Sequence, residues 1–124
     1  MTPRLTLLLA AILLFAAVAL GAFGAHAVKA RIAPDMLAIY QTAVQYHFWH
    51  ALGLLAIGVL LVQRPGNGAL GAAAWLLAAG ILLFSGSLYA LALSGVRGFG
   101  AVTPFGGGAF LAGWACVAWA AWRW

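Results

Sequence analysis

Four long apolar runs most constrain the fold of this chain. They cover residues 5–25, 43–62, 69–93 and 105–122, and none contains a charged side chain. About 20 apolar residues suffice for a helix to cross a bilayer. Of 124 residues 67% are apolar and 6% charged, against roughly 25% charged in soluble domains. The sequence predicts one all-α domain over residues 1–124, with four transmembrane helices in a compact up-down bundle.

The few charged residues are scattered singly, and all lie outside these runs. Although the pI is near 10.4, six isolated basic residues form no patch that could track nucleic-acid phosphates. The only acidic residue is Asp35, whereas most hydrolytic and two-metal mechanisms need paired carboxylates. The composition thus argues against nucleic-acid binding and against most enzymatic chemistry.

The first run resembles a secretory signal, because a basic residue precedes it and Ala25-His26-Ala27 imitates a cleavage site. It is longer than the usual 7–15-residue signal core, so we expect an uncleaved first helix in a multi-pass protein. Four spans place both termini on one side of the membrane. Three basic residues then flank each side, so the positive-inside rule gives no orientation: Arg4, Arg64 and Arg123 against Lys29, Arg31 and Arg97.

The second helix is predicted to begin before its apolar run. Pro34 suits a first helical turn, and Asp35 complements the positive end of the helix dipole. Polar and apolar residues alternate from 35 to 46, which favours an amphipathic start lying at the membrane interface.

Polar side chains gather around this start, and each is a functional candidate because polar groups are costly inside a membrane. His47 and His50 lie one turn apart, and His26 ends the first run on the same side of the membrane. Residues near 89, 97 and 103 reach that side through the other helices. The candidate set is His26, Gln45, Tyr46, His47, His50, Tyr89, Arg97 and Thr103.

Three interpretations of this cluster remain open. His26, His47 and His50 could bind a metal or haem, although their spacing is a weak motif and no cofactor is predicted. Alternatively, His and Tyr could hydrogen-bond the carbonyl groups of a lipid headgroup or quinone between walls formed by Phe48 and Trp49. In the third, the polar groups only tie helices to each other and to headgroups.

Small and hydroxyl residues give further predictions. Ser85 and Ser87 are expected to bond back to carbonyls of their own helix, and Thr103 to cap the last helix. The glycines at 106–108 predict a close backbone approach. Three rows of small residues predict packing between the helices of the chain, with Cys116 as one packing member: Ala17–Gly21–Ala25, Gly86–Ala90–Ser94–Gly98 and Gly108–Ala112–Cys116–Ala120.

Four ordered segments resemble the YgdD-like family of small four-helix membrane proteins, also called domain of unknown function 423. They read GAFGAH at 21–26, TAVQYHFWHAL at 42–52, FSGSLY at 84–89 and TPFGG at 103–107. The resemblance implies a bacterial inner-membrane protein and supplies no activity or proven site residue.

The favoured function is a small non-enzymatic accessory protein. It would bind membrane lipid, a quinone, a larger membrane complex or further copies of itself. A metal- or haem-binding protein is the alternative, and a small transporter or channel acting as an oligomer is the third possibility.

Overall fold

The first span is a helix that changes its winding near its end. A computed structural model describes all 124 residues. Helix α1 covers Pro3–Phe23, and the Thr2 hydroxyl caps it by accepting from the amide of Leu5 at 3.3 Å. One π-helical turn, Gly24–Val28, continues the span. Such turns contain i→i+5 hydrogen bonds and are frequent at functional sites.

The second span is one continuous helix, α2, covering Pro34–Gln63. Pro34 stands in its first turn as predicted, and the predicted amphipathic start forms its first three turns. Its 30 residues correspond to a length of about 45 Å. Since the hydrocarbon core is about 30 Å thick, α2 is long enough to reach into a headgroup layer.

The third span is interrupted in its middle. Helix α3 covers Gly68–Gly80, a second π turn covers Ile81–Ser85, and helix α4 covers Gly86–Ser94. Gly95 ends α4 in the left-handed conformation with φ of +72°, which glycine adopts without steric cost.

The fourth span follows a short 3₁₀ turn, Arg97–Ala101, as helix α5 over Thr103–Trp122. All four helical spans are long and apolar enough to cross a membrane. The prediction of an all-α protein with four membrane helices is confirmed.

Helix α2 is central to the bundle. It packs against α1, α3 and α4, while α5 packs on α3 and on the second π turn. The largest core cluster joins α2, α3 and α5 through fully buried side chains such as Leu54, Ile57 and Leu77. The connections bring α1 and α2, and likewise the third and fourth spans, together as antiparallel neighbours.

Glycine contacts correct the predicted rows of small residues. The row that begins at Ala17 does pack, since Ala17 is buried and a Cβ on Gly21 would lie 3.4 Å from Val44 of α2. Gly86 and Gly108 face open space. The row from Gly86 therefore marks no main helix contact, and the row from Gly108 packs only at its end, through Cys116 and Ala120. The α5 face that packs inward contains Gly106, Phe110, Gly113 and Ala120. A helix that is apolar on all sides has no hydrophobic face that would indicate which side packs inward. The spacing of small residues alone did not indicate that side either.

The predicted close approach at 106–108 is confirmed at Gly106. A Cβ placed there would lie 2.7 Å from the backbone Cα of Phe84. Phe84 belongs to the second π turn, so that turn and the start of α5 touch backbone to backbone.

Candidate functional site

Two polar arrangements lie on different faces of α2. His47 faces α1 and α4 inside the bundle, while His50, three residues later, faces α5. Their exposed fractions are 4% and 7%. The sequence predicted that both residues belong to one cluster. In the structure they lie one turn apart on α2 and contact different neighbouring helices.

The inner arrangement centres on a hydrogen bond between His47 Nδ1 and the Tyr89 hydroxyl, at 3.1 Å. His47 Nε2 is enclosed and unbonded, beside the backbone of Leu13. The Tyr40 ring meets Tyr89 edge to face, with centroids 5.3 Å apart. This arrangement ties α1, α2 and α4 together, and His47 lines none of the three clefts of the structure.

Tyr40 connects this arrangement to the first π turn. Its hydroxyl donates to the carbonyl oxygen of Leu20 at 2.6 Å, and its ring packs over the Cα of Gly24. Any side chain at Gly24 would collide with the ring. Tyr40, the first buried residue of α2, thus holds the start of this helix against the end of α1.

The outer arrangement is a groove on the bundle surface between α2, the second π turn and α5. Its volume is about 540 Å³, and its lining includes exposed Leu111 and Trp114. Phe84 stacks on Tyr46 with ring centroids 4.4 Å apart. Phe110 lies nearly parallel to His50, with centroids 3.5 Å apart. The groove therefore combines aromatic walls with a single imidazole.

One nitrogen of the His50 ring is committed to the helix backbone. Nδ1 lies 2.7 Å from the carbonyl oxygen of Tyr46. A carbonyl oxygen only accepts hydrogen bonds, so Nδ1 carries the proton. Nε2 makes no hydrogen bond within the chain and is not fully enclosed.

Three hydroxyl groups near the groove test the predictions made for Ser85, Ser87 and Thr103. Thr103 does not cap α5: Val102 is the N-cap, and the Thr103 hydroxyl bonds that of Ser87 at 2.7 Å. Ser87 also donates to the carbonyl of Phe84 as predicted. The prediction is wrong for Ser85, whose buried hydroxyl has no partner. The Ser87–Thr103 bond joins α4 to α5 where the groove begins.

The remaining candidates do not take part in the contacts of either arrangement. His26, Gln45 and Arg97 are exposed. Gln45 lines a cleft of about 430 Å³ between α1 and α2, which Tyr40 of the inner arrangement also lines. No three His, Cys, Asp or Glu side chains come together as potential metal ligands, so the structure does not assemble His26, His47 and His50 into one site.

Sequence reasoning missed the groove walls. It assigned them to Phe48 and Trp49, next to His50 in the sequence, but Trp49 points outward with 55% exposure. The walls come from Phe84, Phe110 and Trp114 on other spans. The only signal was their aromatic type, which many other positions share.

Comparison with known proteins gives the family. The family model "Protein of unknown function (DUF423)" matches residues 20–107. The chain belongs to this family. It is 44% identical over 114 residues to the UPF0382 membrane protein YwdK of Bacillus subtilis, covering 92% of this chain and 93% of that protein. It is 44% identical over 117 residues to the UPF0382 inner membrane protein YgdD of Escherichia coli, covering 94% and 88%.

The DUF423 match contains the inner arrangement and most of the groove. His47, His50, Phe84 and Tyr89 lie within residues 20–107, whereas Phe110 and Trp114 lie beyond that range. No solved structure matches the chain. The protein is a small integral membrane protein of the DUF423 family, and its relatives share this membrane character.

Proposed function

We propose that this protein binds a lipid-soluble molecule with a hydroxyl group in the groove between α2 and α5. A reduced quinone, which has ring hydroxyls, or a lipid with a free hydroxyl supplies this chemistry. The observation that carries the proposal is the bonding of His50, which leaves one unpartnered acceptor beside aromatic walls.

The hydrogen bond made by His50 determines which chemical group of a ligand the imidazole can bind. With the proton on Nδ1, neutral imidazole presents Nε2 as an acceptor. An apolar groove favours the uncharged ring, because an isolated charge is costly in a low dielectric. Nε2 therefore accepts from a ligand hydroxyl and offers nothing to a ligand carbonyl. This reverses the expectation that His would donate to quinone or headgroup carbonyls.

The walls suit the body of such a ligand. A volume of about 540 Å³ falls within the range of small-molecule sites. Phe84, Phe110 and Trp114 offer ring faces and edges against which a planar ring can pack. Because Leu111 and Trp114 are exposed on the bundle surface, a ligand dissolved in the bilayer would enter sideways.

The groove supports binding rather than catalysis. Its lining has no carboxylate, thiol or lysine that could act with His50 as a nucleophile or second acid–base group. We therefore propose a non-enzymatic accessory role, in which the protein holds this ligand for a larger membrane assembly or for further copies of itself.

The test compares two redox forms of one ligand. Equilibrium binding to the purified protein in mild detergent is measured for a short-tailed benzoquinol and for its oxidised quinone. We expect the quinol to bind about fivefold more tightly, the value of one net hydrogen bond. His50→Phe retains a ring against Phe110 but loses the acceptor, so it should bind both forms equally.

His26→Phe is the matched control, because His26 is exposed outside the groove, and it should behave like the unchanged protein. Equal affinity of the unchanged protein for both forms would refute the ligand assignment. Native mass spectrometry of the gently solubilised protein separates the two ligand sources. A retained quinol or hydroxyl-bearing lipid that is lost in His50→Phe supports the proposal, and a protein free of lipid, quinol and partner argues against it.

A further inference from the structure

The basic residues at the two ends of the bundle have different surroundings. At the end with the termini, the Arg64 guanidinium lies 4.6 Å from the centre of the Trp124 ring, and that of Arg123 lies 5.4 Å from the Trp119 ring. At the opposite end, Lys29, Arg31 and Arg97 are exposed and make no such contact. Arg4 at the first end is likewise exposed without such a contact. All three basic groups of the opposite end, against one of three at the first end, are therefore free of an aromatic ring.

One of these residues borders an apolar cleft. Arg31 lines a space of about 400 Å³ together with Phe23, Val28, Ile32 and Leu93. Phe23 and Leu93 are each 51% exposed, so the cleft opens on the bundle surface between the ends of the first and third spans. A guanidinium group at one end of an apolar cleft matches the two parts of a membrane lipid.

We infer that this cleft binds an anionic phospholipid, whose headgroup phosphate pairs with Arg31 and whose acyl chain lies against Phe23 and Leu93. Arg31 lies in the connection between the first two spans, where a side chain can reach the headgroup layer. Guanidinium is well suited to phosphate because its planar donors form paired hydrogen bonds.

Charge complementarity favours an anionic over a zwitterionic lipid. The groups at this end are Lys29, Arg31 and Arg97 with one acidic residue, Asp35, and the exposed imidazole of His26. Basic residues near a membrane surface attract anionic lipids, and each contributes on the order of fivefold in affinity. The cleft is separate from the His50 groove and shares none of its lining residues.

The experiment uses the full-length protein in mild detergent. Native mass spectrometry follows titration with phosphatidylglycerol or phosphatidylcholine of identical acyl chains. We expect the unchanged protein to bind phosphatidylglycerol several-fold more tightly. Arg31→Gln should lower phosphatidylglycerol affinity about fivefold. It should lower phosphatidylcholine affinity less, because the choline cation already offsets part of the attraction between that phosphate and Arg31.

Two further variants separate the cleft from net charge and from misfolding. Arg64→Gln removes one positive charge at the opposite end and should retain the preference. Leu93→Trp fills the cleft from an exposed position and should weaken phosphatidylglycerol binding while circular dichroism shows an unchanged helix content. Equal binding of both lipids by the unchanged protein, or equal losses in Arg31→Gln and Arg64→Gln, would overturn the inference.

Discussion

At the scale of single residues, Gly106 is where a side chain is least tolerated on α5. A methyl group there would meet the backbone of Phe84, which cannot rotate away as a side chain would. We expect Gly106→Ala to lower the free energy of unfolding by roughly 3 kcal/mol, as overpacking does in a close-packed interior. Unfolding in mixed micelles of mild detergent and dodecyl sulfate measures the loss.

Gly108→Ala is the control for this prediction. It lies two residues further along α5 and faces open space, so its stability should change by less than about 1 kcal/mol. Equal destabilisation by the two substitutions would mean that the contact with Phe84 is not the cause.

The Tyr89 hydroxyl gives a second prediction at this scale. Tyr89→Phe removes the only hydrogen bond of His47 Nδ1 while keeping the ring against Tyr40. We expect destabilisation of about 1 kcal/mol, typical of an interhelical hydrogen bond within a membrane. Tyr46→Phe, measured by the same unfolding assay, should have almost no effect because the Tyr46 hydroxyl makes no hydrogen bond in the chain. The reverse ranking would contradict the role of the His47–Tyr89 pair.

Sequence reasoning at this scale found polar residues but not their partners. The cost of polar groups in a membrane identified His47, His50 and Tyr89, and the structure places all three in the two arrangements. It did not separate His47 from His50, because their neighbours depend on how α1, α4 and α5 are rotated. Thr103 entered the candidate set because the fourth span begins beside the cluster. Its predicted role as a cap is wrong, since its hydroxyl bonds Ser87 on another helix.

At the scale of elements, the second π turn predicts that one residue can be deleted from the third span without unfolding the protein. Its hydrogen bond from the Gly86 amide to the Ile81 carbonyl encloses one residue more than an α-helical turn. Deleting Leu83 should convert this turn to ordinary α-helix and leave the helices on either side in register. We expect the shortened protein to fold and to remain monodisperse in size-exclusion chromatography.

Deleting Ala56 from the middle of α2 is the comparison, because that helix has no extra residue to lose. The deletion should rotate one half of α2 by about 100° relative to the other and prevent folding. If both deletions abolish folding, the second π turn is not a removable insertion.

Sequence reasoning at this scale predicted the helices and missed their irregularities. The lengths of the apolar runs were enough to predict where each span lies, because charged side chains are too costly inside the bilayer to occur within a span. Both π turns were missed because their residues, Gly24–Val28 and Ile81–Ser85, have the same composition as the surrounding α-helix. The glycine contact at Gly106 was predicted, because three successive glycines are unusual at a helix start.

At the scale of the whole molecule, the arrangement of the helices predicts which loops and termini lie on the same side of the membrane. The termini and the connection between α2 and α3 lie at one end, as shown by Arg64 over the Trp124 ring and by Met1 beside Gly71. In a variant lacking Cys116, single cysteines at Thr2 and Asn67 should react with an impermeant thiol reagent from the same side of the membrane. A cysteine at Lys29 should react from the other side only, and labelling of all three from one side would contradict four spans.

The membrane class of the molecule was fully predictable, because seven charged residues among 124 cannot cover a soluble surface. The arrangement of helices was not. Lipid is as apolar as the helix surfaces, so burial provides no direction for packing, and contacts such as Gly106 against Phe84 determine the arrangement instead.

The hydrogen bond between His50 and the carbonyl of Tyr46 has a consequence for how the groove could diverge among relatives. The acceptor belongs to the backbone, so any residue type at position 46 would hold the imidazole proton at Nδ1 in the same way. Substitutions there would alter the fit of the wall but not the polarity of Nε2. The acceptor at Nε2 is therefore determined by position 50, whereas the aromatic positions around it are free to adjust ligand size.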